Sequence, residues 1–104
     1  MNQEQNITIL CSNFIDGYCR LYNLNLKNSN GHYYKGREGV SFRLLVFILK
    51  EEFNVTFRQI GSITKRSHQD ISYHYNQVIE HGFLKAEAER RFYLVRSIYT
   101  GESG

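Results

Sequence analysis

Thr56-Phe57-Arg58-Gln59-Ile60-Gly61-Ser62-Ile63-Thr64-Lys65-Arg66-Ser67-His68-Gln69-Asp70-Ile71 is the stretch on which the fold turns. Thr56 to Gln59 has the form of a capping box, in which residues three apart satisfy each other's orphan backbone amides. Ser67 to Asp70 has the same form. The first box predicts a short helix with Phe57, Ile60 and Ile63 inward and Gly61 allowing close helix–helix approach. Thr64-Lys65-Arg66 makes a turn. The second box opens a helix that runs to His81 and stops at Gly82, a C-cap by composition. Ile71, Tyr75, Val78 and Ile79 are its inward positions; His68, Gln69, Ser72, Tyr73, Asn76 and Gln77 lie outward. Two short capped helices joined by about four residues form a helix-turn-helix.

Helical periodicity continues on the N-terminal side. From Asn6 to Tyr22 apolar residues fall at Ile7, Leu10, Cys11, Phe14, Ile15, Tyr18, Cys19 and Tyr22, in steps of three and four that mark one buried helical face. Cys11 and Cys19 sit on that face and read as small buried hydrophobes rather than redox or metal groups. Gly17 weakens this helix without ending it. Asn23 to Gly39, rich in Asn, Ser and Gly, reads as a loop carrying His32, Tyr33, Tyr34, Lys35 and Arg37. It is either a solvated connection or a segment that reaches along a phosphate backbone. Val40 to Phe53 is apolar nearly all round and so is the central helix, with Arg43 and Lys50 on its polar edge. Beyond the helix-turn-helix, Phe92, Leu94, Val95, Ile98 and Tyr99 fit a two-stranded wing or a helix. Ala86-Glu87-Ala88-Glu89-Arg90-Arg91 is helix-forming and lacks a hairpin turn, which favours a helix from about Ala86 to Tyr99. The fold class is therefore all-α: one small helical bundle over residues 6–99, with 1–5 and 100–104 as flexible ends.

Length and charge bound the rest. At 104 residues and 12.3 kDa there is room for one domain. Hydrophobic residues at 41% and charged residues at 22% are ordinary globular usage. The longest apolar run, Leu44 to Leu49, is too short to span a bilayer, and Met1-Asn2-Gln3-Glu4-Gln5-Asn6 does not open like a signal peptide. A cytoplasmic protein without a membrane partner is expected. The net charge of +3 is modest, so where the cations stand matters more than their sum.

The run Ile60-Gly61, a short turn, Arg66-Ser67-His68 and then Ile71 resembles the signature of the C-terminal DNA-binding domain (domain IV) of the bacterial replication initiator DnaA, a Trp-repressor-like fold. In that family an Ile-Gly pair precedes an Arg-Asp-His-Thr-Thr-Val segment. A first helix ending in Tyr18-Cys19-Arg20-Leu21-Tyr22, a basic loop, a long apolar helix and a closing helix near Phe92 to Ile98 follow the same order. The resemblance implies base contacts from Arg66, Ser67, His68 and Gln69 in the major groove and from Lys35 or Arg37 in the minor groove. It implies phosphate contacts from Arg43, Lys50, Lys65 and Asp70, and from Phe57 and Arg58 through their main-chain amides. Two departures bear on the target site. The turn before Arg66 is one residue shorter than in the family, and Asp-His-Thr-Thr becomes Ser67-His68-Gln69-Asp70. No Gly-x-x-x-x-Gly-Lys-Ser/Thr occurs, so the initiator's ATPase module has no counterpart; the chain is a free-standing domain or a piece of a longer one.

The expected function is sequence-specific binding of double-stranded DNA, in replication initiation or its regulation, by a nucleoid-associated protein acting as a homodimer or an array on DNA. The alternative is a protein–protein interaction module or transcriptional regulator of the same fold that lacks specificity for the initiator's box. An enzyme is not expected. No paired carboxylates or nucleophile motif stands out, and His68, His74 and His81 lack the four-residue step of a helical metal site. No cofactor, metal or small-molecule substrate is implied.

Overall fold

The computed structural model describes residues 3–26 and 36–99, which form five helices and no strand: α1 (Gln3–Tyr22), α2 (Gly36–Phe53), α3 (Phe57–Thr64), α4 (His68–Glu80) and α5 (Gly82–Tyr99). The architecture is a small all-α bundle, as the periodicity predicts. Three helices stop at a residue in the left-handed conformation: Asn23 (φ 54°), Asn54 (φ 55°) and Lys65 (φ 61°). Asn tolerates that conformation better than most residues. A buried apolar residue follows each Asn, and its amide reaches back to the helix it has just left. Leu24 N donates to Cys19 O at 3.0 Å, and Val55 N to Leu49 O at 3.2 Å.

α2 is the hub, packing against each of the other four helices. Phe42 and every residue from Leu44 to Leu49 are buried, which explains an apolar surface with no open side. Phe14 of α1, Phe53 of α2 and Phe92 of α5 meet with ring centroids 5.2–6.0 Å apart, an aromatic knot between three helices. Cys11 is buried and Cys19 half-buried; both are free thiols, pushed up to about 11 by burial. Gly17 has a packing reason. A Cβ there would meet the Tyr99 ring at 2.8 Å, so the missing side chain lets α5 close on α1.

One set of buried polar groups is satisfied across helices. The Tyr18 hydroxyl donates to Ser41 O at 2.6 Å, and Arg91 Nη1 donates to Tyr18 Oη at 3.1 Å and Ser41 Oγ at 3.0 Å. Arg91 Nε donates to Glu87 at 2.7 Å, and Arg90 holds the same carboxylate from outside. Hydrogen bonds from these two guanidiniums, Arg90 first, bring the Glu87 carboxyl down to about 2. A carboxyl lowered on folding adds stability above its ordinary pKa and loses it as pH falls toward the lowered one. Stability should therefore decline between about pH 4.5 and pH 2, and Glu87→Gln should flatten part of that decline. At pH 7 the substitution should cost no more than about 1 kcal/mol, because the side chain is 31% exposed. Urea titrations across that pH range measure both effects.

Several boundaries differ from the sequence reading. Residues 3–5 belong to α1, while 1–2 and 100–104 lie outside the described residues. α2 begins at Gly36 (φ 59°), so Arg37 stands in a first helical turn and not in a loop. Three residues, not four, separate α3 from α4. Ile63 and Ile79, expected inward, are 40% and 49% exposed. The short turn and the rotation of α4 leave them at the edges of their buried faces.

Gly82 is not a C-cap. His81, in an extended conformation, ends α4, and its carbonyl accepts from the Leu84 and Lys85 amides, so α5 starts at Gly82 and not at Ala86. A Cβ at Gly82 would meet nothing within 4 Å. Gly82→Ala should therefore stabilise the fold by up to about 1 kcal/mol through the unfolded chain, read as a small rise in the melting midpoint.

Candidate nucleic-acid interface

The helix-turn-helix is held by its caps. Thr56 Oγ1 accepts from Gln59 N at 3.1 Å and Gln59 Oε1 from Thr56 N at 2.9 Å, so the first capping box is complete. With the Gln59 amide taken, the amides of Phe57 and Arg58 are the orphan donors at the start of α3. Phe57 itself is half-buried against Tyr75, with Lys50 Nζ 5.5 Å from its ring centroid, which brings Lys50 of α2 beside α3. Tyr75 in turn donates to Glu51, a bond that, with burial, pushes its hydroxyl up to about 12.

At the turn, the amides of Lys65 and Arg66 both reach Gly61 O. A Cβ on Gly61 would lie 2.4 Å from Arg66 O. The glycine is thus required by the backbone of the turn, more closely than by any helix–helix approach.

The second capping box is only half built. Ser67 Oγ accepts from Asp70 N at 3.2 Å, while the Asp70 carboxylate accepts from Arg66 Nη1 at 3.0 Å and faces His74 Nε2 at 3.6 Å. Arg66, Asp70 and His74 are spaced four apart and form a polar ladder along the inner side of α4. The Arg66 guanidinium also lies 4.8 Å over the Phe42 ring, and its side chain is 7% exposed. Arg43 of α2 completes the ladder, with Nε donating to His74 Nδ1 at 3.3 Å and its guanidinium 5.7 Å from the Tyr73 ring centroid. Burial keeps the His74 imidazole below its ordinary pKa, Asp70 opposes, and the Arg43 and Arg66 charges reinforce the lowering. These side chains line a depression of about 430 Å³ between α2 and α4.

The predicted site residues therefore divide. Arg58, Lys65 and His68 come together with Arg66 around Gly61 and Ser62 as an open basic depression at the mouth of the turn. Gln69 is exposed beside them. Arg43 and Lys50 flank α4 and α3 as half-buried cations. Two others have partners within the protein: the Arg66 side chain is ion-paired with Asp70, and Asp70 has its amide on Ser67 and its carboxylate on Arg66. Ser67 serves as the N-cap of α4. Arg37 is exposed at the start of α2, and Lys35 lies outside the described residues.

The ladder was missed by the sequence reading although its spacing was visible. Position 74 falls near Val78 and Ile71 on α4, with 70 one turn before it, and a polar group on that side needs an internal partner. Among the described residues no group of His, Cys, Asp and Glu is arranged to hold a metal ion, and no helix is long and apolar enough to cross a membrane. No protein-family model, curated protein or solved structure matches this chain, so its own residues and geometry carry the functional reading.

Proposed function

We propose that this chain binds double-stranded DNA in a sequence-specific manner, with α4 in the major groove, α3 across the phosphate backbone and Lys35 or Arg37 toward the minor groove. The observation that carries the reading is the pairing of two helices across a three-residue turn whose mouth gathers Arg58, Lys65 and His68 beside an uncharged, exposed amide at Gln69. Cations at the entrance and amides on the helix are the division of labour that phosphate positioning and base reading require. With its likeness to the replication initiator's DNA-binding domain, the reading extends to replication initiation or its regulation at the nucleoid. A role as a protein–protein module is the second reading, favoured by Phe83 and Ile79, which stand 73% and 49% exposed near the α4–α5 junction.

Salt decides between them. Four cations on phosphates (Arg43, Lys50, Arg58 and Lys65) should make duplex affinity fall by about 10² between 50 and 200 mM salt. The variant for this test is Lys65→Asn. It removes the charge and keeps a residue that accepts the left-handed conformation, so the melting midpoint should hold while the salt slope drops by about one. Charge reversal at Arg66 would report on folding, because it strands Asp70. Fluorescence anisotropy on a labelled duplex measures the affinity and its salt slope, and a thermal melt measures the midpoint. Absence of binding at low salt to any duplex would reject the DNA reading.

A further inference from the structure

At about 100° per residue, His68, Ser72, Asn76, Gln69 and Tyr73 fall within a single arc of about 140° on α4, turned away from Ile71 and Val78; Ile79 and Glu80 close the same arc at the C-terminal end. His68, Gln69, Tyr73 and Asn76 are exposed and Ser72 is half-buried. None of the five carries a fixed charge, and the adjacent Arg66 is turned away beneath the helix, paired with Asp70. The side chains that most often read guanine in a major groove, arginine and lysine, are therefore missing from the reading arc of α4. Its two amides belong to the type that pairs in bidentate fashion with adenine N6 and N7. Tyr73 offers a ring for a thymine methyl at the same edge.

We infer that α4 is an adenine reader, whose target is specified by A·T pairs opposite Gln69 and Asn76 and not by G·C pairs. The inference rests on the DNA-binding reading proposed above. Seven residues at 1.5 Å each separate the two amides by about 10.5 Å along the helix, which is about three base-pair steps of 3.4 Å for a helix lying along the groove. Two adenines about three base pairs apart follow as the core of the site.

Selection of duplexes from a randomised pool by the full chain, followed by sequencing, tests this. The retained sites should carry A·T at two positions about three base pairs apart. Gln69→Ala should relax one of them and Asn76→Ala the other, each weakening the best site roughly tenfold. Gln69→Arg should move its position from adenine to guanine. Circular dichroism melts of the three variants should match the parent, since both side chains are exposed. Enrichment of G·C at these positions, or binding without base preference, would overturn the adenine assignment and leave DNA binding standing. Retention of no duplex at low salt would overturn both.

Discussion

Phe14→Ala should lower stability by about 3–5 kcal/mol, the range for removing a large aromatic side chain from a packed core. Phe14 is 1% exposed and its ring meets those of Tyr18, Phe53 and Phe92, so truncation opens a void where α1, α2 and α5 converge. The neighbouring rings are themselves held. Tyr18 is fixed by Ser41 and Arg91, and the Arg96 guanidinium lies 5.1 Å from the Phe92 ring centroid, which limits collapse into the space. A domain of this size has about 5–15 kcal/mol in total, so the loss is a large fraction of its stability. The urea midpoint, at unchanged slope, is the measurement. Phe83→Ala is the internal comparison: at 73% exposure its midpoint should stay within about 0.5 kcal/mol of the parent. Equal losses at the two positions would contradict the packing described.

Gly61→Ala should cost about 3 kcal/mol, at the upper end of overpacking penalties. The atom in its way is a backbone oxygen, Arg66 O at 2.4 Å, and not the far end of a flexible chain. Relief requires opening the turn, which stretches the bonds from the Lys65 and Arg66 amides to Gly61 O. A midpoint fall of about 10–20 °C follows for a domain of roughly 100 residues. The substitution also separates two effects. At a temperature where the variant is still folded, its affinity for duplex should fall as well, because α4 is tilted relative to α3. Gly82→Ala provides the contrast: the same chemical change at an open position should raise the midpoint.

The helices and the core were legible because their signals are local and redundant. Phe14, Tyr18, Leu45, Ile60, Ile71 and Val78 repeat at helical spacing, and all are buried. The Thr56–Gln59 box needs only four consecutive residues, and both of its bonds form. Helix ends were harder to read where the cue was ambiguous. Gly82 suits a C-cap and a helix start equally by composition, and the single extended residue His81 decides between them. The site was legible in its residue types and not in their directions. Arg66 and Lys65 are adjacent cations in the sequence, yet one turns inward to Asp70 and Phe42 while the other stands exposed. That choice depends on Asp70, four residues on and visible in the spacing, and on Phe42, 24 residues before Arg66 and outside the motif.

The Arg66–Asp70–His74 ladder has a consequence for how such a domain diversifies. Because α4 is fastened by groups on its inner side, the exposed residues at 68, 69 and 76 carry little of the helix's attachment to the bundle. Exchanges there should shift the preferred sequence with changes in folding free energy of about 0.5 kcal/mol or less. Under the DNA-binding function proposed above, the fold serves as a chassis on which recognition can be rewritten one side chain at a time, by descent or by design, without renegotiating the scaffold beneath it.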